Sequence, residues 1–207
     1  MKLYLLRHGQ AVANVHRLVT GTPDDPLTAE GERQARQAQM LLRKCSFDAY
    51  VVSHWKRARQ TGELATGNND FFVDRRLGET DAGLVSDWSR AHFEQQHPDF
   101  FAYFDPSAKF PGGESHDDLF KRVIMWMKET AAVMPENASV LAVSHMGPIS
   151  CMLQYALGIP MSLFPRFKPG NASLTYLKVG KKAIPEQIQI VYYAVTPDIV
   201  CRDRENV

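Results

Sequence analysis

The chain has 207 residues, of which 44% are hydrophobic and 23% charged, a balance that suits a folded globular protein and excludes a disordered polymer. A formal net charge of +1 lacks the excess of lysine and arginine that general nucleic-acid binding needs, so any affinity for an anion must be local. Three widely spaced cysteines (Cys45, Cys151, Cys201) suggest reduced buried thiols more than a zinc site or a disulfide framework, and no apolar run or basic leader points to a membrane or to export. The expectation is one domain over residues 1–207, cytoplasmic, with no metal, no cofactor and neither nucleic acid nor membrane as partner.

The apolar run Leu3, Tyr4, Leu5, Leu6 reads as a buried strand that delivers Arg7 and His8 to its C-terminal end, where Gly9 lets the chain turn. In open α/β sheets ligands bind at that edge. A guanidinium beside a neutral imidazole suits an anionic substrate, because arginine holds phosphate oxygens bidentately and histidine can attack phosphorus or move a proton. The following polar segment, rich in turn residues from Thr20 onward, is too irregular for a helix. Asn14, Thr20 and the backbone N–H of Gly21 are either donors to a bound anion or ordinary turn formers.

Thr28 is placed as the N-cap of a helix whose apolar face, Ala35, Ala38, Leu41 and Leu42, runs through Arg33 to Lys44. Phe47 to Ser53 is a second strand, ending at the cationic segment HWKRARQT, which opens a helix to about Ala65. Of Lys56, Arg57 and Arg59, at most two can reach one ligand, since consecutive helix positions diverge by about 100°. Phe71 to Leu77 is a third strand, ending at Gly78-Glu79-Thr80-Asp81, where Glu79 and Asp81 compete as proton donor.

Residues 86–112 are unusually aromatic and interrupted by Pro98 and Pro106, which fits a packed excursion, either a lid with apolar specificity contacts or rings that anchor the segment to the body. Ser115 and Asp118 stand at capping-box spacing before a helix through Val123, Met127 and Ala131, with Met125, Trp126 and Met127 as core packing. Ser139 to His145 is the strongest buried-strand pattern and also ends on a histidine, followed by a helix with Pro148 near its start and Gly158 past its end. Ala172 to Val179 and Ile188 to Val195 read as paired strands joined by a basic turn at Lys181 and Lys182, a solvated face that argues only weakly for an interaction module. Alternating strands and helices predict an α/β protein, three layers α/β/α around a mainly parallel sheet, with late strands antiparallel at one edge. Arg7, His8, Arg57, Glu79 and His145 then meet at one edge.

The ordered set RHG at Arg7 to Gly9, TGTPDDPLTAEGERQA from Thr20, SHWKRARQT from Ser53, LGETDAG from Leu77, PGGES from Pro111 and VSHMG from Val143 resembles the histidine phosphatase superfamily, the phosphoglycerate mutase-like family, over almost the whole chain. The resemblance implies that His8 becomes phosphorylated, that Arg7, Arg57 and His145 clamp the phosphoryl oxygens, that Glu79 serves the leaving group and then water, and that Asn14, Thr20 and Gly21 make secondary contacts. Departures from the family pattern are Gln10 for a glutamate, His54 for a proline, LVSDW after the acid loop and Met146 for a glycine. The interval from Glu79 to His145 is shorter and less basic than in the family's mutases, which favours a metal-independent phosphatase of small phosphomonoesters, broad-specificity, alpha-ribazole-phosphate-like or phosphoserine-like. Phosphoglycerate mutase and a non-catalytic phospholigand-binding protein are the alternatives, and a homodimer is left open.

Overall fold

The computed structural model describes residues 1–197; Cys201 and the rest of the polar tail lie outside the described residues. In chain order the elements are β1 (Lys2–Arg7), α1 (Val12–Val15), α2 (Ala29–Leu42), β2 (Ala49–Val52), α3 (Lys56–Thr66), β3 (Phe72–Val73), α4 (Arg90–Gln96), α5 (Pro98–Ala102), α6 (His116–Val133), β4 (Ser139–Ser144), α7 (Met146–Ala156), β5 (Leu174–Val179) and β6 (Ile188–Val195).

The strands form one sheet in the order β3-β2-β4-β1-β5-β6. β1, β2, β3 and β4 are mutually parallel, and β5 runs antiparallel to both β1 and β6. The expected three-layer α/β/α architecture with antiparallel late strands is therefore observed. Side-chain alternation explains the layers, because successive residues of a strand point to opposite faces. Leu3, Leu5, Val51, Val140 and Ala142 pack with α6 and α7, through Val123, Met127, Ile149 and Leu153. Leu6, Val52, Leu141 and Val143 pack with Ala38 and Leu42 of α2 and Ala58 and Ala65 of α3. With both faces covered, the central strands can only be near-continuous apolar runs, as they are.

The caps match expectation. Thr28 accepts a hydrogen bond from the Gly31 N–H, and Ser115 and Asp118 form a reciprocal capping box. Gly158, with φ of +65°, ends α7. Lys181 is more than a solvated charge: its Nζ donates to the carbonyls of Ala132 and Met134, tying the β5–β6 turn to the C-terminal end of α6.

Several expectations are corrected. The strand expected over Phe71 to Leu77 stops at Val73, because Asp74 caps a turn of 3-10 helix, Arg75–Leu77, by accepting the Arg76 N–H. The polar segment after Gly9 does contain a helical turn, α1, closed by a reciprocal bond between Asn14 and the Ala11 N–H. Met125 is about half exposed while its neighbours Trp126 and Met127 are buried, since adjacent helix positions diverge. Of the thiols, Cys151 is buried and Cys45 only partly so. Gly9 is required by a close approach, not by a turn: a Cβ there would stand 2.4 Å from the Gly31 carbonyl oxygen, so the start of α2 packs backbone to backbone against the RHG loop.

Candidate active site

Parallel pairing aligns the strand ends that carry the site. Arg7 is in register with Ser144, and the His8 N–H donates to the Ser144 carbonyl, so His8 and His145 leave adjacent strands side by side with ring centroids 4.9 Å apart. The Ser53 N–H donates to Val143, which brings the end of β2 and the start of α3 to the same edge. There lies a cavity of about 340 Å³, lined at its polar end by Arg7, His8, Asn14, Thr20, Arg57 and Glu79. Its size is that of a small-molecule site.

The tautomer of His8 follows from its partners. Nδ1 lies 2.6 Å from the Gly9 carbonyl, which can only accept, so Nδ1 carries the proton. Nε2 accepts from Nε of Arg57 at 3.3 Å and therefore holds a lone pair. Burial, then the charges of Arg57 and Arg7, hold the imidazole pKa well below its usual value, so the ring stays neutral. A neutral imidazole with its Nε2 lone pair among cations can attack an electrophile that brings negative charge with it.

His145 is fully buried and is likewise held neutral, first by burial and then by Arg57. Its Nε2 lies 2.8 Å from the Ser53 hydroxyl, whose oxygen already accepts the Trp55 N–H at 3.2 Å. When the Ser53 hydroxyl donates to Nε2, the ring proton sits on Nδ1, a buried atom with no partner. An N–H donor without an acceptor, beside His8, is suited to an oxygen of a bound group.

The two guanidiniums are fixed by backbone carbonyls. Arg57, 2% exposed at the second position of α3, donates to the carbonyls of Thr20 at 3.0 Å and Thr22 at 3.2 Å and stacks on Trp55. Burial pushes its pKa down to about 10, so it remains cationic at neutral pH. Arg7 donates Nη1 to the Pro169 carbonyl at 2.6 Å, and its buried Nε has no partner. Lys56 and Arg59 are exposed, so of the three cations Arg57 alone turns into the site.

Glu79 sits at the N-terminus of α7: Oε2 accepts the Gly147 N–H at 3.3 Å and Oε1 the Thr80 N–H at 3.0 Å. A Cβ on Gly147 would lie 2.2 Å from Glu79 Oε1, so any other residue there would push the carboxylate aside. Arg122 holds this loop by donating to the carbonyls of Arg76, Gly78 and Glu79 while pairing with Glu114. The rival Asp81 is exposed and accepts the Gly83 N–H.

Asn14 lines the cavity with its side-chain oxygen engaged by Ala11 and Asn171, which leaves its amide donor, and Thr20 lines it too. Gly21 does not: its N–H donates to the Ser86 carbonyl at 2.8 Å, and its φ of +74° with Ala13 and Asp25 packed against it explains the glycine. Ser53, Gly147, Arg122, Arg90 and His116 were not singled out from the sequence as site residues. Ser53 was findable, since it ends a strand at the same edge.

A parallel sheet edge that gathers two neutral imidazoles, two buried guanidiniums and a carboxylate defines an α/β enzyme for a phosphate-like group. The chain belongs to the histidine phosphatase superfamily (branch 1), whose sequence profile matches residues 3–187. It is 31% identical over 180 residues to "Probable phosphoglycerate mutase GpmB" of Proteus mirabilis, covering 84% of this chain and 83% of that protein. It is similar to a mycobacterial glucosyl-3-phosphoglycerate phosphatase at 27% identity and a TM-score of 0.82, over 94% and 99% of the two chains. That phosphatase has also been solved with VO3 and with inorganic phosphate. The alpha-ribazole phosphatase of Shigella flexneri shares the fold, at 24% identity and a TM-score of 0.81 over 94% and 96% of the chains. The protein is accordingly an enzyme of the histidine-phosphatase class, and among the described residues no helix is long and apolar enough to cross a membrane.

Proposed function

We propose that the protein hydrolyses small phosphomonoesters through a phosphohistidine on His8. The observation that carries this is the fixed tautomer of His8: Nδ1–H held by Gly9 and an Nε2 lone pair facing the cationic end of the cavity. Nε2 attacks phosphorus, the bond from phosphorus to the leaving oxygen breaks, and protonated Glu79 gives that oxygen its proton. Water then attacks phosphorus, yields a proton to Glu79, and the Nε2–phosphorus bond breaks to release phosphate. Arg7, Arg57 and the Nδ1–H of His145 stabilise the phosphoryl oxygens, with secondary contacts from Asn14 and Thr20; preorganised donors of this kind supply most of the rate acceleration in phosphoryl transfer. Gly21 acts behind them by shaping the loop whose carbonyls hold Arg57.

Phosphate release from p-nitrophenyl phosphate, phosphoserine, alpha-ribazole phosphate and 3-phosphoglycerate in excess EDTA tests the reading. Release that survives EDTA and vanishes in His8→Ala is expected; release that requires a metal, or persists near the original rate in the variant, contradicts it. A mutase reading draws support from the name of the Proteus mirabilis relative. Against it, the far wall of the cavity is aromatic, with Arg90 as its one arginine or lysine. Interconversion of phosphoglycerates primed by a bisphosphate, faster than phosphate release, would establish the mutase.

A further inference from the structure

The end of the cavity away from Arg7 and Arg57 is walled by Phe101, Phe104, Phe110 and Phe164, and into this wall is set His116 at the start of α6. The imidazole is 8% exposed, its ring centroid is 4.9 Å from Phe164, 5.3 Å from Phe104 and 5.6 Å from Phe110, and its Nδ1 is buried with no partner. A buried polar atom left unpaired costs about 1–3 kcal/mol, and phenyl rings offer it nothing. A leucine or phenylalanine would fill the same space without that cost.

We infer that this half of the cavity is a leaving-group subsite, and that it takes a planar apolar ring bearing a hydrogen-bonding edge group, with His116 reading that group. The inference rests on the polar half being the phosphoryl site, as proposed above. Burial and the nearby Arg90 push the His116 pKa down to about 4, so at neutral pH the ring is uncharged, with Nδ1 enclosed and Nε2 the nitrogen left to meet a ligand. An uncharged polar edge is its match. Arg90 lies over the Phe101 ring at 4.0 Å and pairs with Glu94 on the surface, so its charge is already answered.

Competition against phosphate release by non-hydrolysable phosphonates tests this free of leaving-group chemistry: methylphosphonate, benzylphosphonate, 4-hydroxybenzylphosphonate and 3-phosphonopropionate. In the wild type, benzylphosphonate is expected to bind at least tenfold tighter than methylphosphonate, because it buries a ring. 4-Hydroxybenzylphosphonate should gain about a further fivefold. His116→Phe, which keeps the ring volume, should erase the ratio between the hydroxylated and plain benzyl compounds, and His116→Gln should restore part of it. Equal binding of methyl- and benzylphosphonate overturns the subsite from the wild type alone, whether or not the variants fold. An unchanged ratio in His116→Phe overturns the role of His116, and tightest binding of 3-phosphonopropionate overturns the ring in favour of a carboxylate. If methylphosphonate does not bind at all, the phosphoryl-site reading falls and this inference with it.

Discussion

His145 shows how one hydroxyl sets the chemistry of a neighbour. With the Ser53 proton given to His145 Nε2, the buried Nδ1–H has no protein partner, and we propose that it serves the phosphoryl group. Ser53→Ala frees the ring to carry its proton on Nε2, so kcat/KM should fall about tenfold, the value of one hydrogen bond to a charged oxygen; an unchanged kcat/KM would show that the serine only packs. At this scale Arg7, His8 and His145 were legible because apolar runs announce where β1 and β4 stop and parallel pairing brings those stops together, whereas Arg57 and Glu79 reach the same edge through α3 and the 3-10 turn that follow β2 and β3. Gly21 stayed open between ligand contact and turn former because a glycine in a loop looks the same whether its N–H faces a ligand or, as here, the Ser86 carbonyl. His116 and Arg90 were invisible for another reason: their place in the cavity depends on how the aromatic excursion folds back, which no local pattern encodes.

Helix α7 delivers the carboxylate. Its first N–H groups would be unsatisfied without a partner, and Glu79 supplies one through Gly147, where a Cβ would displace the carboxylate. Glu79→Gln should slow phosphoserine hydrolysis far more than that of p-nitrophenyl phosphate, whose leaving group needs no proton. Gly147→Ala should displace the carboxylate and reproduce the same substrate-dependent signature, whereas equal losses on both substrates would count against Glu79 as the proton carrier. Helices α2, α6 and α7 were legible from caps and apolar spacing. Strand β3 was read too long because Val73-Asp74-Arg75-Arg76-Leu77 has apolar ends, while the Asp74 side chain closes a turn that alternation cannot reveal. The aromatic excursion resolves into α4, α5 and a small core of Phe93, Phe110, Val85 and Ala82, with Phe101 and Phe110 also facing the cavity. The rings thus both anchor the segment and wall the cavity, and we propose that it serves as the lid expected over residues 86–112.

Among the described residues, four histidines, His8, His54, His116 and His145, have pKa values lowered chiefly by burial and fold in the neutral form. In the unfolded chain they take up protons near 6.5. Below that pH the unfolded state binds more protons than the native one, so stability is full above 6.5 and falls as pH drops until the native rings titrate. His116, with its pKa at about 4, contributes on the order of 3 kcal/mol that is lost between those values. The urea midpoint should therefore be lower at pH 5 than at pH 7.5, and a flat or rising midpoint would contradict neutral burial of these rings. The architecture itself was the most legible property, since strands and helices alternate along the chain, whereas the strand order β3-β2-β4-β1-β5-β6 is set by long-range pairing that no local pattern announces. The identity of the leaving group was the least, because it is written in the far wall of one cavity.

The most direct test of a His8 phosphoenzyme is rapid quenching into alkali, where phosphohistidine survives, during turnover of a radiolabelled phosphomonoester. Label on the peptide containing His8, appearing before free phosphate and absent from His8→Ala, is the predicted result. Full turnover with no labelled protein, or label on any other side chain, would contradict the account.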